Sequence, residues 1–187
     1  MTRSRTGRGR RPAREMTQAD VVGLLHRFES AGVGVWIDGG WGVDALTGDQ
    51  LRAHDDLDIV VSIEDVSAVQ DVLRRAGYTR RDREEAPLSF MTVDDDGRQV
   101  DVHPVSFDES GNGLYRMDDG DTWTYPATGL AGTGSIGGTR VRCLTPELQM
   151  RVHAGYELEA KDHAEIRILH ERFGVGPPPG YEWPNAH

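Results

Sequence analysis

The chain has 187 residues, of which 37% are hydrophobic and 28% are charged, as in a globular domain with a core of its own. No apolar run approaches the roughly 20 residues of a membrane helix, and no secretory leader opens the sequence, so we expect no membrane partner. The single cysteine, Cys143, excludes an internal disulfide and a cysteine metal cluster. It agrees with a cytoplasmic location.

Charge is distributed unevenly along the chain. The net charge is −10, yet six of the 21 Arg and Lys residues stand in "MTRSRTGRGRRPAR" at the start. The remainder carries 15 basic against 31 acidic residues, a net charge of −16, and such a body repels nucleic acid. Residues 1–15 have too few apolar side chains to pack. We therefore predict a disordered Arg-rich extension and no nucleic-acid partner.

Helix and strand signals follow one another through the first half of the chain. "MTQADVVGLLHRFESAG" has Thr17 as an N-cap, Asp20 three residues later and apolar side chains at helical spacing. "VGVWID" predicts a short strand that leads into Gly39-Gly40, and "WGVDALTG" predicts a short helix that ends at Gly48. "LDIVVS" is typical of a strand and "EDVSAVQDVLRRAG" of a helix.

The second half predicts strands and then two helices. "LSFMTV" and "RQVDVHPV" flank the turn "DDDG" as a hairpin, whereas "FDESGNG" and "MDDGDTW" are typical of loops. "SIGGTRVRCL" predicts another strand or hairpin. Thr145 as N-cap and Pro146 at the first helical position begin a helix in "TPELQMRVHAG", and "EAKDHAEIRILHERFG" predicts the last one.

Helices and strands without strict alternation favour an α+β fold, with a mixed β-sheet flanked by helices. We predict a core over residues 16–142 and a short C-terminal helical segment over 143–174. The proline-rich residues 175–187 cannot continue a helix and are predicted to form a surface tail.

Carboxylates crowd the start of the strand "LDIVVS". Asp56 and Asp58 share one face of that strand, about 6–7 Å apart at ~3.3 Å per residue, a spacing that suits a hard divalent ion such as Mg²⁺. In "QVDVHPV", Asp101 and His103 likewise share a face. If the two strands are neighbours, Asp101 completes a three-carboxylate cluster that requires a cation. The alternative is a solvated acidic turn.

The pair Gly39-Gly40 precedes these carboxylates at a predicted strand–helix junction. Glycines there let backbone N–H groups approach an anion, and a helix N-terminus favours phosphate. A phosphate cradle followed by a metal-binding strand is the requirement for metal-assisted phosphoryl or nucleotidyl transfer.

Four ordered blocks resemble a known family. "WIDGGWGVDALTG", "R-x-H-x-D-x-D", "VDVHPV" and "HAGYELEAKDHAEIRIL" are similar to blocks of the small lincosamide nucleotidyltransferases, in the superfamily of DNA polymerase beta. The resemblance spans residues 17–173 and implies a minimal nucleotidyltransferase fold. It also implies a Mg²⁺-dependent enzyme that transfers a nucleoside monophosphate, usually AMP from ATP, to a hydroxyl of a small antibiotic. Since such relatives can pair, a homodimer is possible.

The resemblance assigns roles to the motif residues. Carboxylates that match the metal ligands of the family are Asp56, Asp58 and Asp101. The third of these, Asp101, is either a ligand or the base for the acceptor hydroxyl. Residues that match the glycine motif beside the triphosphate are Gly39, Gly40 and Trp41.

Several neighbours of these motifs have two interpretations. Arg52 and His54 either contact phosphate oxygens or cap the loop before the strand. Asp44 can orient Arg52 or a backbone amide, and Trp41 can equally pack in the core. His103 is either a substrate contact or a histidine satisfied by its neighbours.

The sequence leaves more than one candidate for the molecule that accepts the nucleotide. Polar residues after the first C-terminal helix, which can line an acceptor pocket, are His153, Tyr156 and Glu157. An aminoglycoside is an alternative acceptor, because an acidic body attracts a polycation. A non-catalytic, antitoxin-like binding protein is the second alternative, although it has no need of Asp101. The four-block resemblance favours a lincosamide.

Overall fold

The computed structural model describes residues 14–81, 89–117, 120–154 and 157–183. Helices in this part of the chain are α1 (Gln18–Ser30), α2 (Gly39–Thr47), α3 (Val66–Arg75), α4 (Pro146–Val152) and α5 (Ala160–Phe173). Its strands are β1 (Val35–Asp38), β2 (Asp56–Ser62), β3 (Thr79–Arg81), β4 (Phe90–Val93), β5 (Gln99–Phe107), β6 (Gly113–Arg116), β7 (Thr122–Tyr125), β8 (Thr133–Ile136) and β9 (Thr139–Arg142). None of these helices combines the length and the apolar character that a bilayer span needs.

Seven strands form one mixed sheet. Its order is β1-β2-β5-β4-β3, with β6 added to β5 and β7 added to β6. The strands β2 and β5 run parallel, whereas the other pairs of the sheet are antiparallel. The β8–β9 hairpin forms a separate small sheet. This architecture confirms the predicted α+β fold. It also meets the condition for a three-carboxylate cluster, because the strand of Asp56 and Asp58 and the strand of Asp101 are neighbours.

The helix α1 forms where its sequence signals place it. The Thr17 hydroxyl accepts a hydrogen bond from the Asp20 amide, and the Asp20 carboxylate accepts one from the Thr17 amide. This capping box satisfies two N–H groups that the helix end leaves without partners. The inward stripe of Val21, Leu24 and Phe28 is buried in the main core.

A smaller core cluster joins the C-terminal helices to α2. Val43 of α2 packs with Met150 of α4 and with Ile166 and Leu169 of α5, and all four side chains are buried. Each buried side chain of this kind contributes roughly 1.5–3 kcal/mol relative to exposure. The cluster therefore holds α5 at a fixed position beside the N-terminus of α2, where the glycine pair lies.

Three features differ from the sequence-based expectation. The helix α2 begins at Gly39 instead of Trp41, because the Asp38 carboxylate accepts a hydrogen bond from the Gly39 amide and acts as the N-cap. The short strands β3, β6 and β7 were not expected, since their residues are mostly polar or half-exposed. Beyond α5, the Tyr181 hydroxyl lies 2.9 Å from Nδ1 of His163, so the tail packs back on the helix.

Most of the predicted Arg-rich extension, residues 1–13, lies outside the described residues, as do residues 184–187. Within the described part, Arg14 is tied to the β4–β5 turn. Its amide donates to the Asp96 carbonyl at 3.0 Å, and its guanidinium pairs with the Asp96 carboxylate at 3.2 Å.

Candidate active site

Three aspartates form a row across three adjacent strands. Asp58 on β2 is the register partner of Asp38 on β1 and of Asp101 on β5. Residues directly opposite each other in a sheet project to the same face. Asp56 lies two residues before Asp58 on that face, whereas the adjacent Asp55 is exposed. The sheet thus brings together the three predicted carboxylates and a fourth, Asp38.

Mutual repulsion and burial perturb this row. Burial raises the pKa of Asp38 to about 6, and the neighbouring carboxylate of Asp58 adds to the increase. Burial also raises the pKa of Asp56, and the charges of Asp58, Asp55 and Asp101 act in the same direction. Such a group of carboxylates is stabilised by a cation, and its all-oxygen donors are those that Mg²⁺ prefers. The residues present therefore fit a hard divalent ion.

One histidine contacts the row. His103 on β5 places Nε2 3.4 Å from Oδ1 of Asp58. Burial alone would lower the pKa of His103, but the Asp58 contact and the charges of Asp38 and Asp101 outweigh burial, so its pKa is raised. His103 therefore contacts the carboxylates, and it also lines the cavity that opens in front of them.

The glycine turn lies against the carboxylates because it has no side chains. Gly39 has a φ of +61°, and a Cβ atom added there would overlap the Asp58 carboxylate. A Cβ at Gly40 would lie 2.5 Å from Nη2 of Arg52 and 2.5 Å from Cε1 of His54. The first amides of α2 are consequently close to the carboxylate row, at the positively polarised end of a helix.

Two predicted nucleotide-binding side chains lie behind this turn. The rings of Trp41 and His54 are 4.7 Å apart, and the two residues are 1% and 2% exposed. Nε2 of His54 is 2.7 Å from Oδ2 of Asp44, whose Oδ1 accepts from the Leu51 amide at 3.1 Å. Trp41 and His54 thus support the glycine turn from the core side. Asp44 orients His54 and a backbone amide, and its described contacts do not include Arg52.

A cavity of about 390 Å³ opens in front of the row. It is bounded by the start of α2 and by β2 on one side, and by the α4–α5 connection and the first turns of α5 on the other. Its lining residues are Asp38, Gly39, Gly40, Arg52, Asp56, Asp58, His103, Val152, His153, Glu157, Glu159, Lys161, Asp162 and Glu165. The permanent cations among them, Arg52 and Lys161, come from opposite sides of the cavity.

Arg52 is held by an acidic residue of α5. Oε1 of Glu165 accepts from Nε of Arg52 at 3.0 Å and from Nη2 at 2.8 Å. Oε2 of Glu165 lies 3.1 Å from Nε2 of His153 at the end of α4. The cavity thus has an ordered cation on the side of the glycine turn.

Aromatic side chains adjoin the other side of the row. The rings of His103 and Tyr115 are 5.9 Å apart, and Tyr125 lies 6.5 Å from both Tyr115 and Trp123. Burial, together with the charges of Asp38 and Asp58, raises the pKa of Tyr125 well above its ordinary value. Its hydroxyl therefore stays protonated near the carboxylates. We call Tyr115, Trp123 and Tyr125 the aromatic wall.

About half of the residues that line the cavity were predicted from the sequence. Predicted residues that line it are Gly39, Gly40, Arg52, Asp56, Asp58, His103, His153 and Glu157, and Asp101 is paired in register with Asp58. Tyr156 lies outside the described residues. Asp38, Lys161 and Glu165 were missed. The first directly precedes a helix N-terminus as an N-cap residue, and the other two have i,i+4 spacing on one face of α5, so both signals were present in the sequence.

Two sequence comparisons relate the chain to known proteins. A sequence model of the aminoglycoside-2″-adenylyltransferase family matches residues 20–169. A lincosamide resistance protein of Staphylococcus haemolyticus is 29% identical over 154 residues, which are 82% of this chain and 94% of that protein.

Solved structures show the same fold. The crystal structure of the lincosamide antibiotic adenylyltransferase LnuA, lincomycin-bound, is 28% identical with a TM-score of 0.74, and the match covers 83% of this chain and 98% of LnuA. The crystal structure of ANT(2″)-Ia in complex with adenylyl-2″-tobramycin is 19% identical with a TM-score of 0.68. That match covers 84% of this chain and 89% of ANT(2″)-Ia.

Proposed function

Since the chain belongs to the aminoglycoside-2″-adenylyltransferase family, we propose that it transfers AMP from ATP to a hydroxyl group of a lincosamide, with Mg²⁺ as its metal ion. The resemblance to lincosamide nucleotidyltransferases is confirmed by the Staphylococcus haemolyticus protein and by LnuA. The observation that carries the proposal is the row of carboxylates beside a glycine turn, of which Asp38 and Asp58 line a cavity that also contains two cations.

In this proposal the chain holds the metal ion through Asp56, Asp58 and Asp101. When bound, Mg²⁺ supplies neutralising charge for the triphosphate and polarises the phosphorus that is attacked. The Gly39 amide is bonded to the Asp38 carboxylate, so the Gly40 amide, in the same first turn of α2, is the proposed donor to phosphate oxygens, and Arg52 offers further donors in the same cavity.

The reaction is an in-line displacement at the α-phosphorus. The acceptor oxygen forms a bond to that phosphorus while the bond to pyrophosphate breaks, and the hydroxyl proton passes to a carboxylate. Asp101 is the candidate base, because it stands beside Asp58 in register at the same end of the sheet. A positioned base contributes roughly 10²–10⁴-fold, and positioning of the two substrates supplies much of the remainder.

The aromatic wall is the proposed acceptor side of the site. It adjoins His103 and the carboxylates, and aromatic faces pack well against the apolar parts of a sugar-containing drug. Arg52 and Lys161 line the cavity itself, which we assign to the triphosphate.

A lincosamide is favoured over an aminoglycoside by similarity. Identity to the lincosamide proteins is 28–29%, whereas identity to ANT(2″)-Ia is 19–20%. The acidic cavity attracts the amino groups of either drug class, so an aminoglycoside remains the second candidate. The antitoxin-like alternative is not supported, because the relatives are antibiotic-modifying enzymes.

Pyrophosphate release tests the proposal. Purified protein with ATP and Mg²⁺ is offered lincomycin, clindamycin or kanamycin, with Asp58→Ala as the control. We expect release that depends on a lincosamide and is lost in the variant. Release with kanamycin alone would retain the chemistry and replace the acceptor. If folded protein releases no pyrophosphate with any of the three drugs, the proposal is contradicted.

A further inference from the structure

We infer that Glu165 of α5 is a positioning residue that sets the Arg52 guanidinium over the glycine turn and thereby determines triphosphate affinity. This inference rests on the proposed function and adds to it a role for the C-terminal helices. The two residues are separated by 113 positions in the chain, so their contact exists only because α5 docks beside α2.

The contact is specific in its geometry. Nε and Nη2 of Arg52 both donate to Oε1 of Glu165, at 3.0 and 2.8 Å, and Nη1 donates to the carbonyl of Ala53 at 3.1 Å. These bonds, the ones that Arg52 makes among the described residues, use three of its five N–H groups. Two N–H groups are therefore available to a ligand in the cavity that Arg52 lines.

The same geometry places the guanidinium at the phosphate side. Nη2 lies so close to Gly40 that a Cβ there would be 2.5 Å away. Arg52 therefore stands directly over the first turn of α2, whose Gly40 amide is the candidate phosphate donor.

Glu165 is itself held in place through its second carboxylate oxygen, which contacts His153. His153 has an acceptor at each ring nitrogen, because Nδ1 lies 2.7 Å from the Gln149 carbonyl and Nε2 lies 3.1 Å from Oε2 of Glu165. The ring satisfies both only as the imidazolium, and the raised pKa of His153 agrees. Glu165 and His153 are 6% and 4% exposed. A buried carboxylate between two cations has one low-energy position, and Arg52 takes its own position from it.

Another interpretation of these side chains is a metal site, since ligand atoms of His153, Asp162 and Glu165 lie within 4.8 Å of one another. Arg52 argues against it. Its guanidinium already occupies Oε1 of Glu165, and an adjacent cation disfavours a second one.

Binding of the ATP analogue α,β-methylene-ATP with Mg²⁺ tests the inference without turnover. We expect Glu165→Gln to weaken binding about tenfold, the effect of one charge-assisted hydrogen bond. Affinity for AMP, which lacks the β- and γ-phosphates, should change much less. Glu171→Gln removes the same charge from an exposed position of α5 and should leave both affinities unchanged. Circular dichroism verifies that each variant is folded.

A double-mutant cycle then separates positioning from general stability. If Glu165 acts through Arg52, Arg52→Lys combined with Glu165→Gln binds the analogue no more weakly than Arg52→Lys alone. If the loss of affinity in the double variant is the product of the losses in the two single variants, the inference is overturned. An unchanged affinity in Glu165→Gln would also overturn it. A wild-type protein that binds no nucleotide would refute the proposed function first, and the inference with it. His153→Gln provides an independent variant, for which we expect a smaller loss in the same direction.

Discussion

Asp58 and Asp101 are register partners on the parallel strands β2 and β5, so two residues 43 positions apart in the sequence present their carboxylates side by side. Asp38 extends the row on the other side of Asp58. The row concentrates negative charge at one end of the sheet, directly beside the start of α2.

Removal of one carboxylate should stabilise the metal-free protein while it abolishes activity. Asp56 is repelled by Asp58, Asp55 and Asp101, so Asp56→Asn should raise Tm by a few degrees, where about 1 kcal/mol corresponds to roughly 2–4 °C in a chain of this size. Mg²⁺ should raise Tm of the wild type more than that of the variant. Thermal denaturation by circular dichroism measures both, with Asp95→Asn in the exposed β4–β5 turn as control. A lower Tm in Asp56→Asn would contradict the repulsion argument.

Gly39 and Gly48 permit a matched test of the glycine turn. Both have positive φ, +61° and +77°, at the two ends of α2. A Cβ at Gly39 would overlap the Asp58 carboxylate, whereas one at Gly48 would have no heavy atom within 4 Å. Each Gly→Ala change should cost about 1–2 kcal/mol of backbone strain.

Only Gly39→Ala should also displace Asp58. We expect it to reduce kcat/KM by more than about 100-fold, the scale of misplaced catalytic groups, and Gly48→Ala to retain nearly full activity. Steady-state kinetics and urea unfolding of both variants measure the two effects separately. Equal activities would show that the close approach of Gly39 to Asp58 has no catalytic role.

His153 should make stability depend on pH. Its pKa is raised in the folded protein because the Glu165 and Gln149 contacts outweigh burial. Protonated His153 therefore stabilises the fold fully below its unfolded pKa of 6.5, and this contribution is lost as pH rises through the higher, folded pKa. The difference in unfolding free energy between wild type and His153→Gln should shrink from pH 6 to pH 9. Urea titrations across that range measure it, and a difference that grows with pH would refute the assignment.

Cys143 should resist thiol reagents in the native state. It is 0% exposed, and burial raises its pKa to about 12, so almost no thiolate is present at neutral pH. We expect iodoacetamide to modify it only when the protein unfolds. Mass spectrometry of native and guanidinium-treated protein gives the extent of modification. Rapid modification of the native protein would place Cys143 outside the core.

Local signals in the sequence were sufficient for the elements that carry the site. Thr17 with Asp20 predicted the start of α1, and Thr145 with Pro146 predicted the start of α4. The alternation in "QVDVHPV" predicted a strand with Asp101 on the polar face. Each of these inferences depends on residues within one turn or one strand, where side-chain hydrogen bonds and periodicity act directly.

Contacts between residues that are far apart in the sequence could not be predicted from local signals. No local pattern fixes which strands are neighbours, so the cluster of Asp58 and Asp101 was conditional until the sheet order was known. The contact of Arg52 with Glu165 depends on the docking of α5 through the cluster around Val43. The strands β6 and β7 were missed because tertiary pairing, and not intrinsic propensity, makes them strands.

The most direct test of the central claim follows the α- and γ-phosphorus atoms of ATP into the products. Protein, Mg²⁺ and lincomycin are incubated with ATP labelled either at the α- or at the γ-phosphorus, and the products are separated. We expect the α label in a lincomycin adduct and the γ label in pyrophosphate. Neither labelled product should form with Asp58→Ala. A γ label transferred to the drug would identify a phosphotransferase and contradict the assigned chemistry.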